Sequence, residues 1–189
     1  MKSGLLIFVM LCSAVAASAA TPLFAPDKTC VAWKTRKRMF MVKKVEPIGV
    51  NCGVTVAAVA EKDARRLRVS MPIASFDSGE PSRDKAVLDI LKAKVQPELV
   101  FLSKPYGAKE WADLLAGNVD ALDGSLTVAG AEFPISLSVA VADGAASGSV
   151  KGRFTDYKID PPTVAGGMVA KVANELELLY RIPLALIPR

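Results

Sequence analysis

Long stretches of this chain alternate apolar and polar residues, short turn signals separate them, and one charged segment with helical spacing interrupts them near the middle. These three observations predict a mainly β protein: an extended antiparallel β-barrel of about eight strands with one or two short helices. Strands that each carry one apolar face cannot remain an open flat sheet in water. Closure into a barrel removes the edges and turns every apolar face inward. A sandwich satisfies the same alternation, but long strands in meandering hairpin order favour the barrel.

The elements follow in order. Residues 1–20 read as a secretory signal peptide: Lys2, an apolar run from Leu5 to Ala17 too short to span a bilayer, then Ala17-Ser18-Ala19 as the cleavage pattern. Residues 21–189 form one domain, since about 170 residues suit a single core. Leu67, Val69, Met71 and Ile73 oppose Arg66, Arg68 and Ser70; Phe133, Ile135, Leu137, Val139 and Val141 oppose Pro134, Ser136 and Ser138; Val172, Leu176, Leu178, Tyr180 and Ile182 oppose Glu175, Glu177 and Arg181. Weaker strands are expected over Cys30 to Lys34, Arg38 to Val45, Val54 to Ala60, Leu99 to Ser103, Leu122 to Val128 and Ser149 to Phe154. Turns are expected at Pro47-Ile48-Gly49, Ala129-Gly130, Asp143-Gly144 and Asp160-Pro161-Pro162. Between Phe76 and Phe101, Val87, Ile90 and Leu91 recur at helical spacing. Ser82 is the expected N-cap there, with Asp84 at the positive end and Lys92 and Lys94 at the negative end. A second helix, Lys109 to Ala116, offers Trp111, Leu114 and Leu115. A helix with one apolar stripe lays it on a surface, here a side or end of the barrel.

Composition removes several chemistries. The chain contains no histidine, so imidazole catalysis and His-containing metal or haem sites are impossible. No cofactor and no metal site is expected; Ala165-Gly166-Gly167 is too short for a phosphate loop. Past the signal, Cys30 and Cys52 remain, and export to an oxidising compartment predicts that they pair. The basic residues between Lys28 and Lys44 read as a solvated strand face and hairpin tip, with anionic lipid or a phosphate as the alternative. Stacking aromatics are not interleaved with them, so nucleic acid is not an expected partner. No stretch after the signal is long enough to be an integral membrane segment. Leu184 to Ile187 either pack locally or dock on a second copy.

Several short motifs then line up. Ser78-Gly79, Arg83-Asp84, Leu91, Pro97 and Phe101 resemble the "S-(T/S)-G…R-D…L…P-x-(I/L)-x-F" region of the YceI-like family. Gly124 to Gly130 is similar to its "G-x-L-T-i-x-G" strand and turn, and Phe133 to Leu137 to the strand that follows. Thr155 to Ile159 stands where the family has "s-D-(F/Y)-g-I", and Val172 to Leu178 resembles its closing strand. Lys158 departs from the common glycine, and Gly107 to Asn118 is longer than the usual hairpin. The resemblance implies a lipocalin-like barrel exported to the periplasm or secreted, binding a polyisoprenoid or another long-chain lipid in its interior.

On that reading the expected wall is Leu67, Val69, Met71, Phe101, Val128, Phe133, Ile135, Leu137, Val139, Phe154, Leu176, Leu178 and Tyr180, with Arg83 and Lys85 as head-group candidates. The alternative is an envelope protein whose side chains fill the barrel and which binds a partner. A third reading, Ser82 and Lys85 as an S-x-x-K serine hydrolase, lacks the S-D-N and K-T-G elements of such enzymes and sits in too small a domain. The sequence is therefore read as a binding protein and not an enzyme.

Overall fold

The structure, a computed structural model, describes residues 23–39, 43–164 and 170–188. The expected signal peptide and Ala165-Gly166-Gly167 lie outside them. The fold is mainly β, with antiparallel pairing throughout its ladders.

One sheet is a meander of five strands in chain order: β4 (Thr55–Glu61), β5 (Ala64–Pro72), β6 (Glu98–Ser103), β7 (Ala121–Val128) and β8 (Ala131–Ser138). The other centres on β12 (Ala170–Pro183), which pairs with β1 (Cys30–Met39), β10 (Ala145–Arg153) and the short β11 (Thr163–Val164). β1 also pairs with β2 (Lys43–Val45) and β3 (Ile48–Asn51), and β10 with β9 (Ala140–Ala142). The two-residue hairpins at Ala129-Gly130 and Asp143-Gly144 put both central residues at positive φ, 50° and 84° in the first and 50° and 69° in the second. That geometry matches the twist of the flanking strands.

Where the alternation predicts a barrel of about eight strands, the described residues form a seven-stranded and a five-stranded sheet. They meet at two corners and curve around a shared interior. At one corner β3 passes into β4. There Asn51, fully buried, donates from Nδ2 to the Pro72 carbonyl (2.8 Å) and accepts from the Gly53 N–H (2.8 Å). At the other, β8 runs beside β10: Ser138 Oγ donates to the Ser149 carbonyl (2.8 Å) and Tyr180 OH to the Ser138 carbonyl (2.6 Å).

Four local expectations are corrected. Cys30–Met39 is one strand, where two shorter strands were expected; its register on β12 shifts between Thr35 and Lys37, with the extra residues, Ala173 to Glu175, on β12. Ile48 and Gly49 belong to β3, not to a turn. The strand starting at Ala131 ends at Ser138, and Ala140–Ala142 form the separate strand β9, although the Val139 N–H still bonds its in-register partner, the Asp120 carbonyl (2.8 Å). Phe154 begins a 3-10 turn, Phe154–Tyr157, that follows β10.

Cys30 opens β1, and Cys52 follows the end of β3, its paired strand. This places their Cα atoms 4.2 Å apart, and they form a disulfide. Helix α2 (Ala108–Ala116) presses buried Trp111 and Leu114 into a core that includes Leu67, Leu122 and Ile182, and Arg65 lies 6.0 Å above the Trp111 ring. Ile187 is buried and Leu184 packs on that same core, while Leu186 between them stays 48% exposed.

A cavity between the sheets and its candidate polar wall

Helix α1 (Pro81–Ile90) answers the question raised by a helix among strands. Glu80 is its N-cap and Pro81, with φ preset and no N–H to lose, fills its first position. Ser82 is therefore inside the first turn and is not the cap; its hydroxyl donates to the Glu80 carboxylate. The helix ends at Ile90. Lys92, at φ 55°, lies beyond it in the left-handed region, so neither Lys92 nor Lys94 meets the last turn. No side chain of α1 is fully buried, because one face looks onto open space.

That space is a cavity of about 330 Å³ enclosed by both sheets and α1, within the roughly 300–1,000 Å³ typical of ligand pockets. Ten of the thirteen expected wall residues line it. β5 supplies Val69 and Met71, β6 Phe101, β7 Val128, and β8 Ile135 and Leu137. β12 supplies Leu176, Leu178 and Tyr180, and the turn after β10 supplies Phe154. Helix α1 adds Ala86, Val87 and Ile90.

Three residues stand elsewhere. Leu67 and Val139 line a separate void of about 20 Å³ beneath Leu114; α2 fills that end of the interior, which turns wall into packed core. Phe133 meets Tyr157 edge-on, with ring centroids 5.5 Å apart. Of the head-group candidates, Arg83 lines the cavity and Lys85 is exposed outside it.

A further row escaped the sequence reading. Val31, Trp33, Thr35 and Lys37 of β1 all line the cavity, opposite Tyr180, Leu178, Leu176 and Val172 of β12. The alternation was present in the sequence, but the outward Lys34, Arg36 and Arg38 made the segment read as a basic hairpin. Trp33 is paired with Gly49, and no side chain larger than hydrogen fits beneath its indole.

The wall is apolar with a few polar atoms. Arg83 Nη2 donates to Glu80 Oε2 (3.1 Å), while Arg83 Nε and Trp33 Nε1 are buried and make no hydrogen bond. β3, which pairs with the strand that carries Trp33, is tied to the turn before α1: Val50 and Asp77 exchange backbone hydrogen bonds of 2.8 and 2.9 Å. Burial pushes the Tyr180 phenol up to about 12. Tyr157 is also raised, first by burial and then by Asp156.

A YceI-like domain model matches residues 24–183, nearly all of the described chain. The chain belongs to the YceI-like family. No curated protein sequence matches it. Solved structures that share its fold include these two. A polyisoprenoid binding domain from Saccharophagus degradans implicated in plant cell wall breakdown aligns with TM-score 0.55 at 9% identity, over 81% of this chain and 94% of that one. Burkholderia cenocepacia BcnA aligns with TM-score 0.53 at 16% identity, over 80% and 94%.

The family motifs have visible jobs in this YceI-like domain. Asp84 accepts from Ser78 N–H (3.0 Å) and Ser78 Oγ (2.5 Å), so the Ser-Gly and Arg-Asp elements lock the turn onto α1. Lys158 stands at φ 58°, a conformation that favours glycine, the residue common there in the family. Ser82 and Lys85 are both exposed, and the serine bonds to Glu80 instead of the lysine. Among the described residues no cluster of acidic or cysteine side chains could hold a metal.

Proposed function

We propose that this YceI-like chain is an exported, non-catalytic binding protein that holds a long-chain amphiphile, a polyisoprenoid or lipid, between its sheets. The observation that carries the reading is the apolar cavity of about 330 Å³. A guest that buries its chain there gains about 0.8 kcal/mol per methylene, less the cost of ordering it. The family and the Saccharophagus polyisoprenoid binding domain support the ligand class. The Cys30–Cys52 bridge fits an oxidising compartment.

Arg83 is the head-group residue in this reading, joined by Trp33. Their unpartnered N–H groups, covered in the present packing, become donors to a carbonyl, ester or hydroxyl oxygen when the side chains turn toward a guest. Glu80, which also lines the cavity, already offsets the Arg83 charge, which favours a neutral head at this point. Lys85, exposed outside the cavity, has no part in it.

Native mass spectrometry on protein exported by its own N-terminal segment and purified without detergent tests the proposal. A co-purifying amphiphile released on denaturation is the expected result. An apo mass unchanged after incubation with polyprenols, fatty acids and their methyl esters would reject it in favour of a partner-binding envelope protein. A covalent adduct of Ser82 with a serine-reactive acylating probe would instead point to catalysis.

A further inference from the structure

On the outer surface of the seven-stranded sheet, three cations stand side by side. Arg38 of β1 pairs directly with Lys44 of β2 on one side and Lys171 of β12 on the other. All three are exposed, and none has an ion pair among the described residues. Like charges directly opposite one another on neighbouring strands destabilise a sheet.

Further along this surface the sequence avoids that cost. Glu177 of β12 stands between Lys34 of β1 and Lys151 of β10, so the charges alternate across three strands. Lys34 and Arg36 also share Glu46, at 3.0 and 3.3 Å. The Lys44–Arg38–Lys171 row is an unscreened exception at the end of the sheet where Lys37 and Val172, each next in sequence to a member of the row, line the cavity.

We infer that this row is a docking surface for anionic lipid head groups, which brings the adjoining end of the cavity to a membrane surface. Such a surface supplies the negative charge that the protein withholds here, and phosphate-rich interfaces attract clustered Lys and Arg. A lipid partner is favoured over nucleic acid because the cations adjoin an apolar cavity, and stacking aromatics are not interleaved with them.

The test is co-sedimentation with vesicles of equal parts phosphatidylglycerol and phosphatidylcholine, against pure phosphatidylcholine, at low and high salt. Binding to the anionic vesicles alone, weakened by salt, is expected. Arg38→Glu, a change of two charge units, should weaken it by about 25-fold, at about fivefold per unit of charge. The same substitution turns the row into Lys–Glu–Lys, so it should leave the melting temperature unchanged or raised. This separates lost docking from lost folding. Arg38→Ala should give an intermediate loss. No binding to anionic vesicles, undiminished binding by Arg38→Glu, or tighter binding to a single-stranded oligonucleotide than to vesicles would each overturn the inference. None of those results bears on the cavity, which native mass spectrometry reads separately.

Discussion

Trp33 packs against Gly49, its paired residue on the neighbouring strand: a Cβ on Gly49 would come within 2.5 Å of the indole nitrogen. The missing side chain gives the indole its place in the cavity wall. Gly49→Ala should therefore displace Trp33 and cost about 1–3 kcal/mol through overpacking. Urea denaturation followed by tryptophan emission reads both effects. Because the two residues share one contact, Trp33→Phe should recover part of the loss in the double variant. Strict additivity would show that the alanine acts elsewhere.

Tyr180 gives the fold a defined alkaline limit. Its phenol is pushed from 10.0 to about 12 by burial, so the folded chain keeps a proton that the unfolded chain has released. The resulting stabilisation, on the order of 2 kcal/mol, is complete below about pH 10 and is lost as pH rises through 12. Tyr180→Phe should remove that part of the pH dependence and cost about 1 kcal/mol at neutral pH through the lost bond to Ser138. Tyr106 and Tyr157 are raised in the same direction, mainly by burial, and should leave a residual slope. Stability curves at neutral and alkaline pH make the comparison.

Leu67 and Leu178 look equivalent in an alternating strand and should behave differently. Leu67, 1% exposed, is enclosed in the core under α2; Leu67→Ala should cost about 2–5 kcal/mol. Leu178 faces the cavity. Leu178→Ala should cost less, about 1–2 kcal/mol, while Leu178→Trp should reduce uptake of a fluorescent long-chain probe with the fold retained. Equal stability losses for the two alanine variants would argue against an open cavity beside Leu178.

Replacing Cys30 and Cys52 together with serine should lower stability by about 3 kcal/mol, for a bridge spanning 22 residues of sequence. Cys30 has no exposed surface, so reductant should act slowly on the folded chain and quickly in urea. Intact mass with and without alkylation follows the reaction.

The strand faces were legible because side-chain alternation is a local property: Val69, Met71, Ile135, Leu137, Leu176 and Leu178 face inward wherever the sheets sit. The Gly-containing hairpins were legible for the same reason. The cap of α1 was not. Ser82 is a good capping residue type, but Pro81 before it suits the first helical position, which moved the cap to Glu80. Nor was the inner face of β1, where outward cations masked Val31, Trp33 and Thr35.

By itself the sequence determined a mainly β, antiparallel protein, its family resemblance, the inward row of most strands and the absence of imidazole chemistry. The tertiary structure alone decided that α2 fills the end of the interior around Leu67 and Val139, that Arg83 reaches the cavity while Lys85 does not, and that Lys44, Arg38 and Lys171 stand abreast. The reason is one of range. Alternation and turn chemistry act between neighbours in the chain, whereas a cavity and a charge row exist only once residues distant in sequence are brought side by side.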